Sequence, residues 1–320
     1  MLIVAALGGN ALLRRGEPMT AAAQRANIVR AADALAPLLR DHQVVITHGN
    51  GPQVGLLALQ NNAYPEVDPY PLDVLDAETE GMIGYMLEIE LGHHHGARRI
   101  ATILTQVVVD PNDPAFARPT KFIGPVYDRD HALAVASSRG WSVAPDGDRW
   151  RRVVASPEPQ TIVEIDAIRT LLDAGYAVIC AGGGGIPVTS TFDCVLTGCE
   201  AVIDKDLVSA KLATDLGADA LLLLTDVDAV YADWGMTDQR PLRRTTVREL
   251  RSLALAGGSM GPKAEAVCRF VEHGGMLAAI GSLSDASRLL MGAAGTVLGQ
   301  AVVDQRSART EMSIALTNGS

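Results

Sequence analysis

Three short apolar runs in this chain each stop at a glycine-rich loop. Leu2 to Leu7 leads into Gly8-Gly9-Asn10, and Val44-Val45-Ile46-Thr47 leads into His48-Gly49-Asn50-Gly51-Pro52-Gln53. Ala177 to Ala181 leads into Gly182 to Pro187. An apolar run this short, bounded by turn residues, reads as a buried strand. A glycine loop lets backbone N–H groups come close to a ligand. A helix starting just beyond it turns its positive end toward that ligand. In one parallel sheet the three loops would gather at the carboxyl edge, where such sheets bind ligands. Taken singly, each loop is also compatible with an ordinary tight turn.

Between these runs the apolar spacing changes to that of helices. Residues 20–40 carry Thr20 as a cap and Ile28, Ala31, Ala32, Leu35, Leu38 and Leu39 as one face. Helices are also expected over 53–62, 76–92, 161–175, 201–217, 245–256 and 263–273, and strands over 100–109, 221–225, 276–280 and 296–298. This alternation predicts an α/β fold, a three-layer αβα sandwich with a mainly parallel central sheet, in a single domain over 1–320. Residues 112–160 break the pattern with Pro, Asp, Arg and two tryptophans, Trp141 and Trp150. They read as a small inserted lid subdomain, and 304–320 as a loose polar tail.

At 320 residues and 48% hydrophobic the chain can bury a large core. Its apolar stretches are too short to span a bilayer, and its start lacks a basic signal region, so a cytoplasmic protein without membrane contact is expected. The four cysteines lack C-x-x-C spacing, which suits reduced thiols. His93-His94-His95 would point in different directions on a helix and read as a solvated end rather than a metal site. A net charge of −10 disfavours nucleic acid as a partner, and any bound phosphate then needs positive charge placed locally.

The lysines suggest where. Of 27 basic residues only Lys121, Lys205, Lys211 and Lys263 are lysines. A chain that otherwise uses arginine has kept a compact, mobile ammonium at four places. Lys211, at helix spacing beside Leu207 and Leu212, reads as a surface charge; the other three stand in unusual local sequence. Asp204-Lys205-Asp206 is bracketed by Val202-Ile203 and Leu207-Val208, and burying it demands other charges or a ligand as neighbours. Asp226-Val227-Asp228 after a strand is either part of a ligand site or a helix cap. The sequence lacks G-x-x-x-x-G-K-[ST] and a G-x-G-x-x-G after a strand. Glycine loops, lysines and a few carboxylates suit phosphoryl transfer without a covalent intermediate.

Several blocks resemble the carbamate kinases of the amino acid kinase family. They are Ala6 to Ala11, His48 to Gly55, Leu104 to Pro111, Pro119-Thr120-Lys121 with Ile123-Gly124-Pro125, Trp150 to Val154, Gly182 to Pro187, Glu200 to Asp206, and Gly258-Ser259-Met260 with Pro262-Lys263. Phe122, Ala155 and Gly261 depart from the pattern without removing a charge. The resemblance implies reversible transfer between carbamoyl phosphate and ADP, giving ATP and carbamate. It implies that Lys205 and Lys263 flank the moving phosphoryl group, that Asp206 orients them, and that Lys121 reaches in from the lid. Gly8, Gly9, Asn10, Gly49, Asn50 and Gly51 would line the carbamate and phosphate side. Thr225, Asp226, Val227, Asp228 and Tyr231 would lie on the nucleotide side. Mg²⁺ would arrive with ATP or ADP, and the assembly would be a homodimer. His48 is expected to make a structural hydrogen bond rather than act as a base. Without ligand, the lid is expected to be less ordered than the sheet, with Lys121 away from Lys205. Two rival readings are a same-fold kinase of another small acid and a non-catalytic sensor of nucleotide or carbamoyl phosphate.

Overall fold

Strict alternation along the buried strands builds two cores on one sheet. In a computed structural model, Ile3, Ala5 and Leu7 of the strand Leu2–Leu7 face one core while Val4 and Ala6 face the other. The structure describes residues 1–299 except 15, 65, 95–98, 254 and 256–258, and except the side chain of Asn10. The tail proposed over 304–320 lies outside the described residues.

The central sheet has seven strands, in the spatial order Thr296–Gly299, Leu277–Ser282, Ala220–Thr225, Leu2–Leu7, Gln43–His48, Ala177–Ile179, Ile100–Thr102. All neighbours are parallel except Thr296–Gly299, which runs antiparallel at one edge. The helices Ala21–Asp41, Leu72–Gly92 and Ala286–Leu290 supply one core; Ile165–Asp173, Lys205–Leu216 and Met260–Glu272 supply the other. This is the three-layer αβα arrangement. The strands that precede the three glycine loops stand side by side, so the loops meet at one carboxyl edge. From Leu2–Leu7 the chain fills the sheet in both directions, and the resulting switch point opens a crevice at that edge.

Residues 121–154 form a separate three-stranded antiparallel sheet, Lys121–Tyr127, Arg149–Val154 and Ser142–Asp146, with the helix Arg129–Arg139. It is seated on the body of the protein. Ile123 and Val154 pack with Val54, Ala58, Leu72, Leu75 and Val202, and Gly124 lies directly against Gly55.

Two of the changed sequence expectations bear on the site. The run 100–109 is not one strand: Ile100–Thr102 belongs to the central sheet and Gln106–Val109 to a second, four-stranded sheet. The break falls at Thr105, whose N–H is held by the Glu80 carboxylate at 3.1 Å and whose hydroxyl donates to Ile103 O at 3.0 Å. The helix expected over 161–175 shortens to Ile165–Asp173, because Pro159–Ile162 pairs antiparallel with Gln106–Val109. Glu164, at the start of the helix, accepts the Gln106 N–H at 2.7 Å and its amide at 2.9 Å, which turns the chain there.

Candidate active site

The site begins with the helix Lys205–Leu216, which opens at the carboxyl edge of the sheet. Asp204 caps it, accepting the Asp206 N–H at 2.9 Å. The hydroxyls of Thr47 and Ser209 lie 2.7 Å apart and tie this helix to the strand that carries the second loop. Lys205 thereby comes under Gly49: a Cβ on Gly49 would stand 3.0 Å from Gly9 N and 3.4 Å from Lys205 Cδ. Glycine at 49 is what lets the first loop, the second loop and the lysine stem approach this closely.

Three of the four lysines converge here. Lys205 Nζ donates to Asp206 Oδ1 at 2.6 Å, and Lys263 Nζ, from the helix Met260–Glu272, donates to Asp206 Oδ2 at 3.0 Å. Lys121 Nζ donates to Asp204. Burial alone would raise the Asp206 carboxyl, but Lys205 and Lys263 outweigh it and hold Asp206 well below the usual carboxylate range. Burial pushes the Lys205 ammonium down, opposed by Asp206. The fourth lysine, Lys211, pairs with Asp215 at 3.1 Å one turn along its own helix, as a surface charge does. The cluster holds three ammonium groups against two carboxylates, a local positive excess in a chain of net charge −10.

The expected separation of Lys121 from Lys205 is corrected. The seated insert brings Lys121 to Asp204, the residue next to Lys205, because buried Asp204 draws in the nearest cation.

Backbone donors complete the phosphate side. Gly8 N–H is occupied by Leu224 O at 2.8 Å and Gly49 N–H by Leu7 O at 3.0 Å, which stitches the loops to the sheet. The helix Gly51–Ala63 starts at Asn50 and Gly51 with no side-chain cap, so its positive end stays open. His48 lies under this loop. Its Nδ1 is 3.3 Å from Gly49 O, and burial pushes the ring down to about 4, with Lys205 adding to the effect. A neutral imidazole bonded to its own loop fits the expected structural role.

The expected nucleotide-side residues separate into two places. Thr225 and Asp226, at the end of Ala220–Thr225, line a cleft of about 700 Å³ with Arg14, Arg30, Ser282 and Ser284. Asp228 lines a second cleft of about 640 Å³ with Arg243, Arg244 and Arg288. There it accepts the Tyr231 hydroxyl at 2.7 Å and Arg243 at 3.0 Å. Val227 lies between the two, half-buried. The Asp226-Val227-Asp228 segment is therefore not a helix cap: a turn and the strand Val230–Ala232 follow it.

Sequence reasoning missed a row on the helix Leu72–Gly92. Asp76, Thr79 and Glu80 are buried on one face of it. Asn50 Nδ2 donates to Asp76 Oδ1 and to Thr79 Oγ1, both at 2.8 Å. Glu80 Oε1 accepts the Gly182 N–H at 2.7 Å, while Oε2 holds Thr105. Burial pushes Asp76 well above the usual range, and Glu80 up to about 8 despite the two backbone donors. The signal was the polar residues themselves, at helical spacing i, i+3, i+4, in a helix otherwise apolar on that side.

Among the described residues there is no cluster of three or more His, Cys, Asp or Glu able to hold a metal ion. The carboxylates nearest the reacting region, Asp204 and Asp206, are already bound to ammonium groups. What the arrangement can do is take a small polyanion at the carboxyl edge, between two buried lysines and open backbone donors. Those are the parts of a phosphotransferase.

Comparisons with known proteins give the same class. The amino acid kinase family model matches residues 1–282. A carbamate kinase of Rhizobium meliloti is 54% identical over 307 residues, 95% of each chain. A solved carbamate kinase from Giardia lamblia, bound to citric acid, is 39% identical with a TM-score of 0.86, covering 93% of this chain and 97% of that one. The Giardia enzyme bound to AMP-PNP is also 39% identical, with a TM-score of 0.83, covering 93% and 98%. The chain belongs to the amino acid kinase family, in its carbamate kinase branch.

Proposed function

We propose that this chain is a carbamate kinase that moves a phosphoryl group reversibly between carbamoyl phosphate and ADP. The observation that carries the proposal is the convergence of Lys205 and Lys263 on Asp206 beside the glycine loops. In the direction of ATP formation, a β-phosphate oxygen of ADP attacks the phosphorus of carbamoyl phosphate. The bond from phosphorus to the carbamate oxygen breaks, and carbamate leaves with that electron pair, then decomposes to ammonia and carbon dioxide. Lys205 and Lys263 stand on either side of the phosphoryl group in flight and neutralise charge on its equatorial oxygens. Asp206 holds and aims both ammonium groups. Lys121, supplied by the insert acting as a lid, meets the charge on the leaving carbamate.

Gly8, Gly9, Asn10, Gly49, Asn50 and Gly51 bind the carbamate and phosphate end. Thr225 and Asp226 bind nucleotide in the larger cleft, with Asp228 and its partner Tyr231 meeting it from the second cleft and Val227 between the two. The Giardia enzyme that holds AMP-PNP supports nucleotide binding here. Mg²⁺ enters as part of the nucleotide substrate, since the carboxylates of the lysine cluster are already engaged. No base is required of His48, because the attacking oxygens are already anionic. We further propose that the protein works in the cytoplasm as a homodimer.

A coupled assay tests this reading. ATP should form from carbamoyl phosphate and ADP with Mg²⁺, stop with chelator, and return when Mg²⁺ is restored. ATP-dependent phosphorylation of acetylglutamate, aspartate or a nucleoside monophosphate in place of that reaction would move the chain to a same-fold kinase. Nucleotide binding without turnover would make it a sensor.

A further inference from the structure

The orientation of one buried amide is decided by its neighbours. Thr79 has a single hydroxyl proton, which it donates to the Asp76 main-chain carbonyl at 2.9 Å. Toward Asn50, 2.8 Å away, Thr79 Oγ1 can therefore only accept. The arm of Asn50 that faces Thr79 is the NH₂, and its second proton goes to Asp76 Oδ1 at 2.8 Å. Both amide donors are thus committed to the helix Leu72–Gly92. The carbonyl arm, Oδ1, is left over, and among the described residues nothing donates to it.

Asn50 cannot escape this orientation by moving. It is 2% exposed, and Gly183 of the third loop closes on its amide so tightly that a Cβ there would lie 2.2 Å from Nδ2 and 2.7 Å from Oδ1. Behind the row, Glu80 fixes the third loop by taking the Gly182 N–H. Asn50 itself sits between Gly49, which touches Gly9 and Lys205, and the open start of the helix Gly51–Ala63.

A fixed acceptor beside anion-binding loops is an unusual pairing. It repels a carboxylate or phosphate oxygen and favours an N–H. Carbamoyl phosphate has such a group, and acetyl phosphate, of nearly the same shape, has a methyl there instead. We propose that Asn50 is a specificity-determining residue whose carbonyl oxygen accepts the N–H of the carbamoyl group, and that Thr79 and Asp76 are positioning residues that hold it in that orientation. This rests on the carbamate kinase reading.

The test compares two acyl phosphates as donors to MgADP, reading the ratio of kcat/KM for carbamoyl phosphate to that for acetyl phosphate. Thr79→Val keeps the shape but cannot accept from the amide, so one of the two contacts that set the Asn50 orientation is lost. The ratio should fall about tenfold, the scale of one lost hydrogen bond in a dry site. The KM for ADP should stay within about twofold, and Thr79→Ser should restore the ratio. Asn50→Ala removes the acceptor itself, should lower the ratio at least as much, and decides the matter if Thr79→Val fails to fold. A wild-type ratio in Asn50→Ala, or in folded Thr79→Val, overturns the assignment while leaving the kinase reading intact. A wild-type protein that makes no ATP from carbamoyl phosphate overturns the reading beneath it.

Discussion

Two buried polar clusters flank the glycine loops, and they are built on opposite terms. On one side Lys121, Lys205 and Lys263 meet Asp204 and Asp206, so each carboxylate touches at least one ammonium. On the other side, among the described residues, Asp76 and Glu80 take hydrogen bonds from neutral donors, including an amide and two backbone N–H groups. Asp206 is held low by its lysines, whereas burial drives Glu80 up to about 8. The difference separates two tasks. The first cluster keeps full charges in a dry place, which is what stabilising a moving phosphoryl group requires. The second avoids the expense of opposed buried charges and fixes backbone and amide geometry.

The largest expected effect comes from breaking the charged cluster. Lys205→Ala and Lys263→Ala should each lower kcat on the order of 10²–10³-fold, with a much smaller rise in the KM for ADP. Steady-state kinetics would measure both. A variant that keeps more than half its turnover has no place in the transition state, and the comparison between the clusters then loses its basis.

Lys121→Ala should act less strongly. Its ammonium stands on the insert, paired to Asp204 at the rim of the cluster and part-exposed. The expected loss is about tenfold in kcat/KM for carbamoyl phosphate, with nucleotide binding and Tm nearly unchanged. Thermal unfolding and donor titration check this together. A drop of many degrees in Tm would make Lys121 a structural tether of the insert.

Much of the first cluster was legible in the chain, and little of the second. The scarcity of lysine singled out Lys121, Lys205 and Lys263, because a residue type kept against a compositional trend marks a chemical need. Apolar residues around Asp204-Lys205-Asp206 signalled burial, and burial demanded the partners that the fold then supplies. The strand and loop pairs were readable because alternation and glycine are local. The turn at Thr105 was not, because it depends on Glu80, distant in sequence. The row Asp76, Thr79, Glu80 stayed hidden for the same reason: only the fold shows that this face of the helix lies under Asn50 and Gly182. The split of Asp226 and Asp228 between two clefts depends on how strand ends are spaced, which local pattern does not carry.

A smaller effect would sharpen the contrast through pH. Glu80 has a folded value near 8 against an ordinary 4.5, so the folded protein holds this proton more tightly than the unfolded chain. Its contribution to stability is complete below about pH 4.5 and fades as pH rises through about 8. Wild type should therefore lose stability relative to Glu80→Gln between pH 5 and 8, by no more than about 5 kcal/mol at about 1.4 kcal/mol per unit. Urea unfolding at several pH values would show it. Parallel curves would mean that the two backbone donors keep Glu80 ionised, and the second cluster would then be charged like the first.

The central claim is direct transfer of a phosphoryl group at the lysine cluster. Phosphorus NMR of wild-type protein with carbamoyl phosphate, ADP and Mg²⁺ tests it most directly. The account predicts that the carbamoyl phosphate signal declines in step with growth of the γ-phosphate signal of ATP. Loss of carbamoyl phosphate into inorganic phosphate, with ADP unchanged, would contradict it.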